Sequence, residues 1–296
     1  MTTANSPMRV RTALSHALLG AMQWRLWLLW IVITGLCALI GALPVWKWLG
    51  GVLDHSLLGD AVGSGVAPEL IIEALSGKDA PLAVLGAGIQ FATVLMLLVS
   101  PLLAGATVAA ARSRQTLGFD DLLRGGISEY GPMLRMLIWS IFPLGIAVVA
   151  AVIIMGVNET THADAILASE LDTGRRAGLI VGGTLWVLAH ASLEAGRGWL
   201  AADARLRSAL KAWWRGLKLL LRRPFAVLSV YLVTTVAGLS LAVLMVGVRQ
   251  HIDAFTGLGF VLAMLAGFGI TAALAWSRIA RLFGMQSLAQ DMHARR

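Results

Sequence analysis

Trp186, His190 and Glu194 stand four residues apart, and Arg197 follows Glu194 by three. On a helix those spacings bring the four side chains onto one face. An imidazole and a carboxylate placed this way can relay a proton or form half of a metal site. Ionisable groups inside a membrane are costly, which makes His190, Glu194 and Arg197 the intramembrane polar candidates for function. The alternative is an interfacial pair in which Arg197 neutralises Glu194. Both readings remain open at this level.

No second cluster completes a metal set, so no metal site and no cofactor are expected. The sequence has no Gly-x-x-x-x-Gly-Lys-Ser/Thr phosphate loop, no His-Glu-x-x-His and no Gly-x-Ser-x-Gly nucleophile turn. Asp120, Asp121 and Glu129 flank Arg124, an arrangement expected of salt-bridged surface rather than acid–base chemistry. No catalytic residue is assigned.

The elements that must position these residues are membrane spans. The chain is 58% hydrophobic and 14% charged, with mean hydropathy +0.78. Soluble domains carry about 25% charged residues. The apolar residues fall in continuous runs of about 20 residues, long enough to cross a hydrocarbon core as helices. Barrel strands would instead alternate over about 10 residues. The expected fold is therefore all-α, a polytopic membrane bundle. Six spans are predicted, near residues 26–45, 82–109, 136–157, 177–195, 225–248 and 257–276. The single cysteine, Cys37, permits no intrachain disulfide.

The basic residues orient the bundle. The N-terminal arm, the loops after the second and fourth spans and the C-terminal end hold three, four, eight and four of the 24 Lys and Arg residues. Only Lys47, Lys78, Arg175, Arg176 and Arg249 lie on the other side. Cytoplasmic loops carry the Lys/Arg excess, so both termini are expected in the cytoplasm. The net charge of +8 then implies anionic lipid headgroups as partners and no nucleic acid.

Three segments resemble one another: Arg9-Val10-Arg11-Thr12-Ala13-Leu14, Arg112-Ser113-Arg114-Gln115-Thr116-Leu117 and Arg205-Leu206-Arg207-Ser208-Ala209-Leu210. Each precedes an outward and an inward span. The six spans thus read as three parallel-repeat hairpins within a single membrane domain, with units 5–111, 112–204 and 205–284 and a basic cytoplasmic tail at 285–296. Pro132 and Pro224 follow the second and third segments at similar distances. A proline favours the first turn of a new helix, so each unit is expected to form an elbow: an interfacial helix, a break and a span.

The third elbow carries the clearest signal. Arg205, Arg207, Lys211, Trp213, Trp214, Arg215, Lys218, Arg222 and Arg223 give the basic and aromatic pattern of a helix lying at a lipid or partner interface. Gly174, Gly178 and Gly182 repeat every four residues, which suits close helix packing. Pro101 and Pro143 fall inside spans and should kink them. The external stretch 46–80 is expected to hold two short amphipathic helices covering the outer face.

Ala204-Arg205-Leu206-Arg207-Ser208-Ala209-Leu210 and Leu219-Leu220-Leu221-Arg222-Arg223-Pro224 resemble segments of a group of bacterial six-span inner-membrane proteins of unassigned function. Ala42-Leu43-Pro44 and Asp54-His55-Ser56 fit the same group. The resemblance implies a multi-pass protein of the bacterial cytoplasmic membrane and carries over no catalytic residue.

Three functions fit these features. The first is a non-enzymatic scaffold or complex subunit that binds lipids and a protein partner. The second is a permease-type subunit driven by a separate energy source, which requires a central cavity reached by His190 or Glu194. The third is a lipid-modifying enzyme.

Overall fold

A backbone inside hydrocarbon must satisfy its own hydrogen bonds, and this chain does so with helices. The computed structural model describes residues 8–53, 56, 59, 69–77, 80–113, 115–161, 168–252 and 256–295. Among these residues there is no strand. The helices are α1 (Val10–Gly20), α2 (Trp24–Leu53), α3 (Glu69–Ser76), α4 (Leu82–Arg112), α5 (Phe119–Thr161), α6 (Ala168–Ala202), α7 (Ala209–Arg222), α8 (Pro224–Gln250) and α9 (Gly257–Ala294).

Six of these, α2, α4, α5, α6, α8 and α9, are long and apolar enough to cross a membrane. The protein is a multi-pass membrane protein. Its shortest span, α8, has 27 residues, about 40 Å of helix against a hydrocarbon core of about 30 Å. Every span therefore projects beyond the apolar layer. Neighbours in sequence pack together: α2 on α4, α5 on α6 and α8 on α9, with α4 also against α5 and α9 also against α6.

The first and last described segments of the chain meet at one end of the bundle. The Met8 amide donates to Asp291 Oδ2 at 3.1 Å. Arg223 donates to the same oxygen at 2.8 Å and also to the Met8 carbonyl. The larger core sits at this end, with Trp199, Leu200, Leu219, Met285 and Leu288 fully buried. Residues 285–294 continue α9 and bury Met285, Leu288, Ala289 and Met292. The tail expected there is instead the packed end of a helix. Towards the far end, α4 and α5 present Ile89, Phe91, Val94, Ile146, Val149 and Val152 outward, a surface suited to acyl chains.

Two elbows are broken and one is not. Residues 21–23 separate α1 from α2, and Trp27 Nε1 closes that turn on the Ala21 carbonyl at 2.7 Å. Arg223 interrupts the helix between α7 and α8, with φ −137° and ψ 56°, and Pro224 begins α8. The residue before a proline is pushed out of the helical region. The break expected at Pro132 is absent, because α5 runs through it from Phe119. Pro132 deprives the Ser128 carbonyl of its helical donor. Arg207 Nη2 supplies one in its place at 3.2 Å. Pro101 is accommodated similarly, with Ser100 Oγ donating to the Leu97 carbonyl at 3.0 Å.

Of the expected external helices, α3 is present and buries none of its residues, so this part does not pack as a cover. The other, with Leu57, Leu58 and the break at 63–68, lies outside the described residues. So do His55 of the resembling segment, Arg114 of the second repeat and Arg296.

Candidate functional site

Close packing sets α6 against α5 in its far half and between α7 and α9 nearer the termini. Its far half lies on α5: a Cβ on Gly178 or Gly182 would press into Met155 or Ala151, and one on Gly174 into Asn158. Nearer the termini, α7 crosses α6 at backbone contact. A Cβ on Gly216 would stand 2.6 Å from the Ser192 carbonyl oxygen. On its other side α6 meets α9, where a Cβ on Gly198 would stand 2.6 Å from the Met285 carbonyl carbon. Only glycine permits approaches this short. They bury Ala191 to Ala195, and Glu194 with them.

Glu194 is 5% exposed and faces three cationic or titratable neighbours. Oε1 accepts from Arg197 Nη1 at 2.6 Å and lies 3.8 Å from His190 Nε2. Oε2 lies 3.8 Å from Nε of Arg281 on α9. Arg281 is buried, donates through Nη1 to Thr235 Oγ1 at 2.7 Å and covers the Tyr231 ring at 5.3 Å. His190 meets the same ring edge-on at 5.5 Å. One turn back on α9, Arg278 lies over Trp30 at 5.7 Å, within cation–π range. Arg281 Nε and His190 Nδ1 are buried without a hydrogen-bond partner.

These groups line a cavity of about 450 Å³ between α2, α4, α5, α6, α8 and α9, within the size range of ligand sites. An apolar groove of about 740 Å³ adjoins it between α2, α4 and α9, sharing Trp30, Met96, Leu97 and Arg278 with the cavity. Three guanidinium groups thus accompany one carboxylate, an excess of two positive charges with His190 neutral. On insertion scales an arginine at the centre of a membrane helix costs about 2.5–3.5 kcal/mol. The geometry can hold an anion; at 3.8 Å, His190 and Glu194 do not share a hydrogen bond.

The structure therefore brings His190, Glu194 and Arg197 to one cavity and leaves Trp186 outside, 43% exposed. Sequence reasoning missed Trp30, Tyr231, Thr235, Arg278 and Arg281. It placed the last two among the orienting charges after the sixth span. Their signal was the i, i+3 spacing of two arginines in a run that stays helical. Pro101 lines the cavity; Pro143 lies within α5.

Two arginines of the repeated Arg-x-Arg segments, Arg112 and Arg207, serve packing. Arg112 Nη1 and Arg207 Nη1 both donate to Glu129 Oε1, at 2.8 and 3.1 Å. Glu129 is buried, not the surface acid expected. Arg112 also donates to the Leu200 and Ala201 carbonyls at the end of α6, at 2.5 and 3.2 Å, where a cation suits the helix dipole. In the third elbow, Arg215 pairs with Asp203 at 3.0 Å and Trp213 Nε1 donates to Ser192 Oγ at 3.0 Å. Arg205, Lys211, Trp214, Lys218 and Arg222 stay exposed. Burial pushes the Asp203 carboxyl up, but hydrogen bonds from Arg215 and the Arg205 amide, with the Arg215 charge, hold it below the usual carboxylate range.

Among the described residues, no three His, Cys, Asp or Glu side chains come together as a metal site would need. No family model matches the chain, and no curated protein or solved structure is detectably similar.

Proposed function

We propose that this protein is a permease-type membrane component that receives an anion in the cavity between its six spans. The observation that carries the reading is the charge of that cavity: Arg197, Arg278 and Arg281 line it with, among the described residues, one carboxylate, Glu194. A bound anion would offset the excess and complete the hydrogen bonding of Arg281 Nε. With nineteen of the 24 basic residues in the sequence segments assigned to the side of the termini, the reading places both termini in the cytoplasm of a bacterial cell. The cavity then opens nearer the cytoplasmic leaflet. Three hairpins descended from one repeat fit the pairing of consecutive spans.

Titration calorimetry of the purified protein with glycerol 3-phosphate tests the reading. One molecule is expected to bind per chain, with Arg278→Gln weakening it about tenfold or more, the loss of one charge-assisted hydrogen bond. Arg249→Gln, at the far end of α8, makes the same charge change outside the cavity and should have no effect. Equal affinities for the wild type and Arg278→Gln would sink the proposal.

A second reading, as a scaffold held at the membrane surface, is supported by one feature of the third elbow. Trp214, Leu221 and Phe225 are exposed beside Lys218 and Arg222, and Lys218 lies over the Trp214 ring at 5.4 Å. This surface suits anionic headgroups and is compatible with the first reading.

A further inference from the structure

We infer that the anion is the headgroup of a lipid whose acyl chain occupies the adjoining groove; this rests on the reading of the cavity as an anion site. The groove and the cavity adjoin, with Trp30, Met96, Leu97 and Arg278 in the walls of both. Their walls differ in chemistry. The cavity is lined by His190, Glu194 and the three arginines, whereas the groove is lined by residues such as Cys37, Ala38, Ile89 and Leu274. Thr34, Thr93 and Thr271 also line it, but each hydroxyl already donates to a carbonyl of its own helix: to Trp30 at 2.6 Å, Ile89 at 2.8 Å and Gly267 at 3.4 Å. Apart from Arg278 at its end and the weakly polar Cys37 thiol, the groove's described wall offers no spare donor to a polar solute and suits an alkyl chain.

Length agrees with this occupant. Along α2 the groove runs from Trp30 to Val45, about 22 Å of helix. One leaflet of the hydrocarbon core is about 15 Å deep, so a lipid chain fits within the groove. Charge fixes the other end. Arg278 sits at the junction with its guanidinium over Trp30 and makes no hydrogen bond or ion pair among the described residues. Arg281, buried beyond it, has an Nε that faces Glu194 at 3.8 Å but makes no hydrogen bond. A lipid phosphate at the junction would meet Arg278 first, with Arg281 behind it, while its chain lies against α2, α4 and α9. A zwitterionic lipid would bring its own cation into a site that already has an excess of positive charge.

Native mass spectrometry of the full chain in detergent tests this, with dipalmitoyl phosphatidylglycerol, dihexanoyl phosphatidylglycerol, dipalmitoyl phosphatidylcholine and glycerol 3-phosphate as probes. One dipalmitoyl phosphatidylglycerol is expected per chain, bound about tenfold or more tightly than each of the others. Arg278→Gln and Ala38→Phe, which fills the groove from an exposed position on α2, should each weaken it by a similar factor. Should Ala38→Phe fail to fold, the chain-length comparison on the unaltered protein decides. Equal binding of the palmitoyl and hexanoyl lipids overturns the acyl groove. If glycerol 3-phosphate still binds through Arg278 in that case, the anion site survives. Binding of phosphatidylcholine as tight as phosphatidylglycerol overturns the anionic headgroup. If Arg278→Gln alters neither lipid nor glycerol 3-phosphate binding, this inference and the proposed function fall together.

Discussion

Glu194 on α6 and Arg281 on α9 approach to 3.8 Å across the cavity, close enough to pair as charges but not to share a hydrogen bond. Among the described residues lining the cavity, Glu194 is the one carboxylate beside three guanidinium groups. Replacing Glu194 with Gln should therefore destabilise the ligand-free protein by about 3–5 kcal/mol, as expected when one member of a buried pair is removed. Denaturant unfolding in detergent measures this. Added glycerol 3-phosphate should recover more stability in the variant than it adds to the wild type. Recovery no larger than the wild-type gain would mean that the arginines do not sense an anion in the cavity.

Arg207 and Pro132 are coupled through the Ser128 carbonyl. Arg207→Ala should destabilise the protein by about 1.5–3 kcal/mol through the loss of hydrogen bonds from a charged group. In a Pro132→Ala background the helix supplies its own donor to Ser128, and the same change should cost less. A double-mutant cycle should give a coupling of about 0.5 kcal/mol or more. Strict additivity would show that the carbonyl is satisfied in some other way.

Gly216 and Gly183 separate packing from helix propensity. Gly216→Ala puts a methyl group against the backbone of α6 and should cost about 1–3 kcal/mol by overpacking. Gly183 has open space around its Cβ direction, so Gly183→Ala should shift stability by no more than about 1 kcal/mol, in the stabilising direction. Thermal unfolding of the two variants side by side reads the difference. A reversal of this order would contradict the close crossing of α6 and α7.

Asp203 makes stability depend on acidity. Its folded-state pKa lies below the unfolded value, so its contribution is fully present above about pH 4. It is lost as pH falls through the lower, folded-state value. Wild-type melting temperature should fall more steeply than that of Asp203→Asn as pH drops below about 4. Parallel curves would show that the Arg215 pairing does not bias this carboxyl.

The six spans were legible because lipid demands long, unbroken apolar helices, which composition alone reveals. The break at Pro224 was legible for a local reason, the steric effect of a proline on its predecessor. The continuity through Pro132 was not, since it depends on Arg207, an arginine far along the chain. The site was half visible. His190, Glu194 and Arg197 share a face of α6 by periodicity. Arg278 and Arg281 look in the sequence like orienting charges at a span end; only the packing of α9 on α6 buries Arg281 and sets the exposed Arg278 at the cavity wall. Glu129 looked like surface for the same reason, because its two partners come from α4 and the segment before α7.

The account turns on whether Arg278 is held for structure or for a ligand. The direct measurement is the melting temperature of Arg278→Gln and wild type, each without ligand and with glycerol 3-phosphate at about 100 times the wild-type Kd, where binding adds about 2.7 kcal/mol. The account predicts a ligand-free melting temperature equal to or above the wild type's, since an uncompensated cation is removed, and little or no gain on adding ligand. A lowered ligand-free melting temperature together with a wild-type gain from ligand would contradict it.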